Sequence, residues 1–182
     1  MSHPTPASHE SSEFSESSES SDLAGQAGTD SSQDTGLSGS ARVQPLARSD
    51  FKVFRPIQTR WADNDVYGHV NNVVYYSWFD TAVNGWLVEG DALDIHNGHV
   101  IGLVVHTQCH YFAPIAFPQG VTAGIRVLHA GRSSVRYQVA LFAEDGQQTA
   151  AWGEFVHVYV DRTTRRPTAL PPPLLQLLEH NK

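Results

Sequence analysis

The chain has 182 residues, which is enough for one domain with a hydrophobic core and short for two. Of its 19 acidic and 12 basic residues, 8 acidic and 2 basic ones fall within the first fifty positions, so most of the formal charge of −7 belongs to that segment. The remainder is nearly neutral, which argues against a basic surface for nucleic acid.

Membrane and targeting segments are not expected either. No run approaches the roughly eighteen apolar residues of a membrane span, and the N-terminus lacks the apolar stretch of a signal peptide. A single cysteine, Cys109, excludes an internal disulfide and fits a reducing compartment. We therefore expect a soluble, cytoplasmic protein without a membrane or nucleic-acid partner.

Two parts of the chain differ in composition. Residues 1–49 are rich in Ser, Glu, Gly and Thr and poor in large apolar side chains. Burial of such side chains is what offsets the entropy lost when a chain becomes ordered, and this segment has too few of them. They are predicted to form a disordered acidic tail. Residues 50–182 are predicted to form one domain.

The domain is predicted to begin with a strand in "FKVFRPIQTRW", followed by a turn in "DNDVYGHVNN". In "NNVVYYSWFDTAVNGWLVEG" the few polar residues recur at helical spacing, which predicts a largely buried helix. Asn71 or Asn72 can cap its start, and Gly90 can end it.

Period-two patterns follow the helix. They predict four strands, joined at one point by the hairpin dipeptide Asp145-Gly146, and a short helix closes the chain. The strand segments are residues 102–112, 121–130, 133–143 and 149–160. This order predicts an α+β fold in which an antiparallel sheet wraps one long central helix.

The turn has some features of a metal loop. Asp63-x-Asp65-x-x-Gly68 resembles the opening of a calcium loop, but Tyr67 and Val74 stand where such a loop needs oxygen ligands. The histidines do not form a zinc pattern, because no cysteine or acidic ligands cluster with them. We therefore expect no metal.

The sequence also gives no support for a serine or cysteine as catalytic nucleophile. The chain has no G-x-S-x-G elbow for a serine nucleophile. Strand alternation places Cys109 and His110 on opposite faces, so a thiol nucleophile activated by that histidine is not expected. A buried structural cysteine fits the pattern better.

The start of the helix offers a different chemistry. The first N–H groups of a helix lack partners within it and carry partial positive charge, which suits a polarised carbonyl oxygen. A carboxylate just upstream, Asp65, could act on an ester or thioester held there. The same aspartates and glycine would also serve as ordinary turn residues, and the residues alone leave both interpretations open.

The stretch "TRWADNDVYGHVNNVVYYSWFDTA" resembles the signature of hot-dog-fold acyl-CoA thioesterases of the 4-hydroxybenzoyl-CoA thioesterase type. The similarity continues through "HYFAPIAFP", "VLHAGRSSVRYQVALF" and "HVYVDRTTRRPTALP", and so covers roughly residues 50–175. It implies a hot-dog domain that hydrolyses an acyl-CoA to free acid and CoA without a bound cofactor. It also implies a homodimer or homotetramer with the acyl site at a subunit interface.

The resemblance assigns roles to individual residues. Asp65 matches the family's catalytic carboxylate, which acts as nucleophile or general base, and the Asn72 N–H matches the group that polarises the thioester carbonyl. Gly68 and His69 shape the turn between them. A weaker match, to a turn that contacts the CoA phosphates in some members, covers Arg132, Ser133 and Ser134.

One departure separates this chain from part of the family. Some branches carry an essential glutamate on the helix, whereas the acidic residue within this helix is Asp80, so the chain resembles the loop-aspartate branch. Two alternatives remain beside hydrolysis of acyl-CoA. They are a non-catalytic acyl-CoA-binding module and a thioesterase acting on an acyl-carrier protein.

Overall fold

The computed structural model describes residues 42–181. It contains five strands and two helices in the predicted order. They are β1 (Val53–Ile57), α1 (Asn72–Glu89), β2 (Val100–Tyr111), β3 (Val121–Ala130), β4 (Ser134–Ala143), β5 (Ala151–Asp161) and α2 (Pro172–His180). The strand in residues 51–61 is shorter than predicted, because the backbone turns at Trp61–Asp63, where Arg60 N–H donates to the Asp63 carboxylate.

The strands form one antiparallel sheet in the order β1-β3-β4-β5-β2, with α1 packed on one face. The prediction of an α+β hot-dog arrangement is therefore confirmed. The registers bring Ile57, Tyr111, Val121, Ala143 and Ala151 to one end of the sheet, which we call the Tyr111 end. The opposite end, called the Val100 end, holds the start of β2 and the turn between β3 and β4.

Helix α1 begins and ends as its sequence predicts. The Asn71 side chain accepts a hydrogen bond from Val73 N–H and so identifies the capping residue, while Gly90 follows the last turn. The buried face of α1 is aromatic and aliphatic and consists of Tyr75, Trp78, Phe79, Ala82, Val83, Trp86 and Leu87. Burying each large side chain is worth about 1.5–3 kcal/mol, so this face holds the helix on the sheet.

Helix α1 packs closely on the sheet at Gly153 in β5. A Cβ atom built there would lie 1.9 Å from the Gln108 carbonyl oxygen and 2.7 Å from the Phe79 ring. Real Cβ atoms do not approach other atoms so closely, since van der Waals contact begins at about 3.5 Å. The hydrogen of glycine is therefore what allows Phe79 to pack against this strand.

The other face of the sheet is partly covered by residues 44–51. Leu46 and Phe51 pack against Phe142 and Trp152, and the Trp152 indole donates to the Gln44 carbonyl at 2.9 Å. Contacts with the domain thus begin ahead of the predicted boundary at residue 50. The rest of the predicted tail, residues 1–41, lies outside the described residues.

Candidate active site

The loop before α1 is a tight reversal. Asp65 N–H donates to the His69 carbonyl at 2.8 Å, and Gly68 N–H donates to the Asp65 carbonyl at 3.1 Å. Gly68 has a φ of +80°, a left-handed conformation that side-chain-bearing residues rarely adopt. Gly68 and His69 therefore shape the turn, as the resemblance implies, and His69 also borders a cavity at the helix start.

The two aspartates of the motif have different surroundings. Asp63 is buried, with 1% of its surface exposed, and both of its carboxylate oxygens accept hydrogen bonds from Arg60. Its main-chain carbonyl accepts from Asn71 N–H at 2.8 Å. Asp63 therefore fixes the base of the loop, and its burial keeps the carboxylate away from a substrate.

Asp65 is half-buried, and its carboxylate accepts one hydrogen bond from the described residues. Its Oδ1 accepts a hydrogen bond from Tyr67 N–H at 2.8 Å, which closes a local turn. No group among residues 42–181 donates to its Oδ2. One oxygen of this carboxylate is thus free to act on a substrate or on water.

The Asn72 backbone amide opens the helix. Neighbouring amides are bonded to the cap, because Val73 N–H donates to the Asn71 side chain and Val74 N–H to the Asn71 carbonyl. The Asn72 N–H has no acceptor in the described part of the chain. As an unpaired donor at the positive end of an 18-residue helix, it can polarise a carbonyl oxygen.

A cavity of about 310 Å³ lies at this helix start. It is walled on one side by residues around the loop and on the other by the chain at the end of β2, and its lining comprises His69, Val70, Asn72, Tyr75, Tyr111, Phe112, Ala113 and Pro114. Such a mainly apolar lining with a few polar groups is typical of small-molecule sites. The structure thus brings His69 and Asn72 to one cavity, and Asp65, in the loop just before α1, is not one of its lining residues.

The sequence motif does not reveal Tyr111, one of the two tyrosines of this cavity. The Tyr111 hydroxyl donates to the Asn72 carbonyl at 3.3 Å, and its ring packs edge-on against Tyr75, with centroids 5.0 Å apart. Partial burial and the adjacent Cys109 thiol raise the pKa of Tyr111 well above its usual value. Period-two alternation places Tyr111 and Cys109 on one face of β2, but only the sheet register shows that this face meets the start of α1.

The Cys109 thiol is not prepared for nucleophilic chemistry. It is half-buried among core side chains, and burial raises its pKa to about 11. The thiol therefore stays protonated near neutral pH, and a protonated thiol is a poor nucleophile. This agrees with the structural role expected for it.

The predicted phosphate-binding turn lies far from the loop within one chain. Arg132, Ser133 and Ser134 are at the Val100 end, where the Ser133 carbonyl accepts from Tyr159 N–H at 2.7 Å. Ten residues of strand at about 3.3 Å each separate the two sheet ends by about 30 Å. The structure therefore does not bring these residues together with Asp65 of the same chain.

Two acidic side chains lie on α1. Asp80 is exposed and accepts a hydrogen bond from the Asn84 side chain at 3.0 Å. Glu89, the last helix residue, is also acidic, so the expectation that Asp80 is the one acidic residue of this helix is wrong. Glu89 forms a two-pronged ion pair with Arg55. Neither side chain lines the cavity at Asn72.

The described residues contain neither a cluster of metal ligands nor a helix that could span a membrane. Within residues 42–181, no three His, Cys, Asp or Glu side chains gather as a metal site requires. Neither helix of that same range combines the length and the apolarity needed to cross a bilayer.

Comparisons with known proteins agree with the fold and the motif. The family model described as the thioesterase-like superfamily matches residues 59–178, and the chain belongs to this superfamily. The PA5185 protein from Pseudomonas aeruginosa, known from a crystal structure, is 52% identical with a TM-score of 0.75, covering 76% of this chain and 97% of that one. The predicted resemblance to thioesterases of the 4-hydroxybenzoyl-CoA type is confirmed.

Two further relatives carry functional names. A thioesterase from Thermus thermophilus, crystallised with coenzyme A and Zn, is 28% identical with a TM-score of 0.58 and covers 71% of this chain and 93% of that one. The L-carnitine dehydrogenase/betainyl-CoA thioesterase of Agrobacterium fabrum is 27% identical over 121 residues, which are 66% of this chain and 24% of that protein. The matched region thus spans about a quarter of the length of that relative.

Proposed function

We propose that the chain hydrolyses acyl-CoA thioesters to a free acid and CoA. The observation that carries this proposal is the unpaired Asn72 amide, which belongs to a residue that lines a cavity and begins α1 directly after the loop of Asp65, a carboxylate with one free oxygen. An electrophile and a nucleophile or base are thus held by one short segment. Membership of the thioesterase-like superfamily and the coenzyme A bound to the Thermus protein support the choice of substrate.

In the proposed reaction the thioester oxygen accepts a hydrogen bond from Asn72 N–H, which stabilises the charge that develops during attack. Asp65 has two routes. It attacks the carbonyl carbon, the C–S bond breaks to release CoA thiolate, and water hydrolyses the resulting anhydride. Alternatively, it takes a proton from water as that water attacks, and then gives the proton to the departing thiolate.

The same proposal includes a homodimer. Strand β2 is an edge strand of twelve residues with one unpaired side, and its apolar side chains Leu103, Val104 and Val105 are exposed by 38–59%. A long apolar edge of this kind is normally covered by another strand, and a second copy would supply one. In such an assembly, the turn at Arg132 could contact CoA only in the site of another subunit.

The decisive experiment replaces Asp65 by Asn and follows thiol release from a panel of acyl-CoAs, from acetyl to palmitoyl and aromatic thioesters. Asp65→Asn should keep its thermal unfolding temperature and oligomeric state and lose nearly all turnover. Wild-type turnover in this variant would refute the assigned role. Acyl-CoA binding by the native protein without thiol release would indicate a binding module instead, and faster release from matched acyl-carrier-protein substrates would indicate the other alternative.

Asp63→Asn is the matched control, two positions away in the same loop. Because Asp63 is buried and bonded to Arg60, this variant should unfold at a lower temperature yet retain part of its turnover. If Asp63→Asn instead kept full stability and lost turnover, Asp63 and not Asp65 would be the catalytic carboxylate.

A further inference from the structure

The chain just after β2 holds the candidate catalytic loop in place. Val70 N–H donates to the Ile115 carbonyl at 2.7 Å, and the Asn64 side chain accepts from Phe117 N–H at 3.1 Å. These contacts fix the loop on both sides of the Asp65 reversal. Neither of them reaches the first residue of α1.

Tyr111 provides that remaining contact. Its hydroxyl meets the Asn72 carbonyl, and its ring lies against Tyr75, one helical turn further along α1. The Ala150 carbonyl, just before β5, accepts hydrogen bonds from both Phe112 and Ala113 N–H groups and so anchors the chain next to Tyr111. The helix start is thereby tied to the end of β2, an edge strand of the sheet.

We infer that Tyr111 is a positioning residue for the reaction, because its hydroxyl holds the Asn72 carbonyl and so fixes the backbone of the residue whose N–H, in the preceding peptide unit, receives the thioester oxygen. This inference rests on the proposed function. Tyr111 does not transfer a proton in this role. It fixes a residue whose carbonyl it binds and which lines the same cavity as Tyr111.

The Tyr111 hydroxyl keeps its proton and can therefore serve as a permanent hydrogen-bond donor. Burial and the neighbouring Cys109 and Tyr76 side chains keep the pKa of Tyr111 far above neutral, so the hydroxyl stays protonated over the working pH range. A distance of 3.3 Å is long for an O–H···O bond, which places its energetic value at the lower end for neutral hydrogen bonds. The expected effect of losing it is therefore moderate and falls on the orientation of the amide.

The test is Tyr111→Phe, which removes the hydroxyl and keeps the ring on Tyr75. We expect kcat to fall about three- to tenfold while KM changes by less than about twofold, since the oriented amide acts mainly in the transition state. The pH profile of kcat should not move, because the hydroxyl does not titrate in that range. Unchanged kcat, or a loss confined to KM, would overturn the inference.

Tyr159→Phe is the matched control for stability. Tyr159 is fully buried, its hydroxyl is 2.8 Å from that of Tyr137, and it lies on the far half of β5. This variant should lower the unfolding temperature and leave kcat unchanged. An equal fall of kcat in both variants would show that lost stability, and not the Asn72 contact, lowers turnover.

A measurement without substrate separates this inference from the proposed function. Hydrogen exchange at the Val73 and Val74 amides, which are bonded to the Asn71 cap, should speed up in Tyr111→Phe as the first turn loosens. Faster exchange in a protein inactive on every acyl-CoA would support the positioning contact and reject the thioesterase assignment. Unchanged exchange with unchanged kcat would reject the positioning contact alone.

Discussion

Replacing Asn72 by proline should remove the proposed electrophile and little else. Proline lacks the backbone N–H, and Asn72 is the first residue of α1, where proline is well tolerated. The preceding residue, Asn71, has φ −60° and ψ 139°, an extended conformation that suits the position before proline. Because the Asn72 N–H has no acceptor among the described residues, no hydrogen bond of the fold is lost.

The size of the effect follows from the role of the amide. Loss of one oxyanion-stabilising donor typically lowers kcat by about 10²–10³, which corresponds to about 2.7–4 kcal/mol. We therefore expect Asn72→Pro to lose that much turnover while its unfolding temperature stays within a few degrees of the wild type. Turnover is read by thiol release at saturating acyl-CoA, and folding by thermal denaturation.

Asn72→Ala provides the comparison, since alanine removes the side chain and keeps the amide. It should retain near-wild-type kcat, and its stability should be equal or slightly higher because alanine favours helices. A folded Asn72→Pro protein with wild-type turnover would refute the polarising role of the amide. A large loss in Asn72→Ala would mean that the side chain acts instead.

Two further predictions concern the cap and the core. Asn71→Ala removes the acceptor for Val73 N–H, so it should cost about 1 kcal/mol and lower the unfolding temperature by roughly 2–4 °C, as calorimetry would show. Burial lowers the pKa of His157 to about 4, whereas the unfolded chain takes up a proton near its usual 6.5. The free energy of unfolding should therefore fall by about 3 kcal/mol as the pH drops through that window and stay level above it. Urea titrations across this range should show the fall in the native protein and a flatter profile in His157→Gln, and equal slopes would contradict the assignment.

Much of the fold follows from local patterns. The strand of residues 121–130 was predicted with its observed bounds, because Val121, Ala123 and Ile125 alternate with more polar positions and face the core. Helix α1 was predicted to within one residue at each end, since its cap and its terminal glycine act locally. Such signals need no knowledge of distant parts of the chain.

What the sequence could not predict depends on register. Tyr111 reaches Asn72, 39 positions away, only because β2 ends beside β5 under the start of the helix. The same register places Arg132 at the far end of the sheet from Asp65, which a motif match cannot reveal. The motif also does not show that Asp63 is buried and bonded to Arg60 whereas Asp65 is half-buried with a free oxygen.

The close packing of α1 on Gly153 has a consequence for the start of the helix. Phe79 rests on it, and Phe79 lies about two helical turns, or roughly 10 Å, from the amide of Asn72. Any larger residue at 153 must displace the Gln108 carbonyl of β2 or the Phe79 ring of α1. A position that lines no part of the cavity thus limits how closely α1 and the strand that carries Tyr111 approach each other.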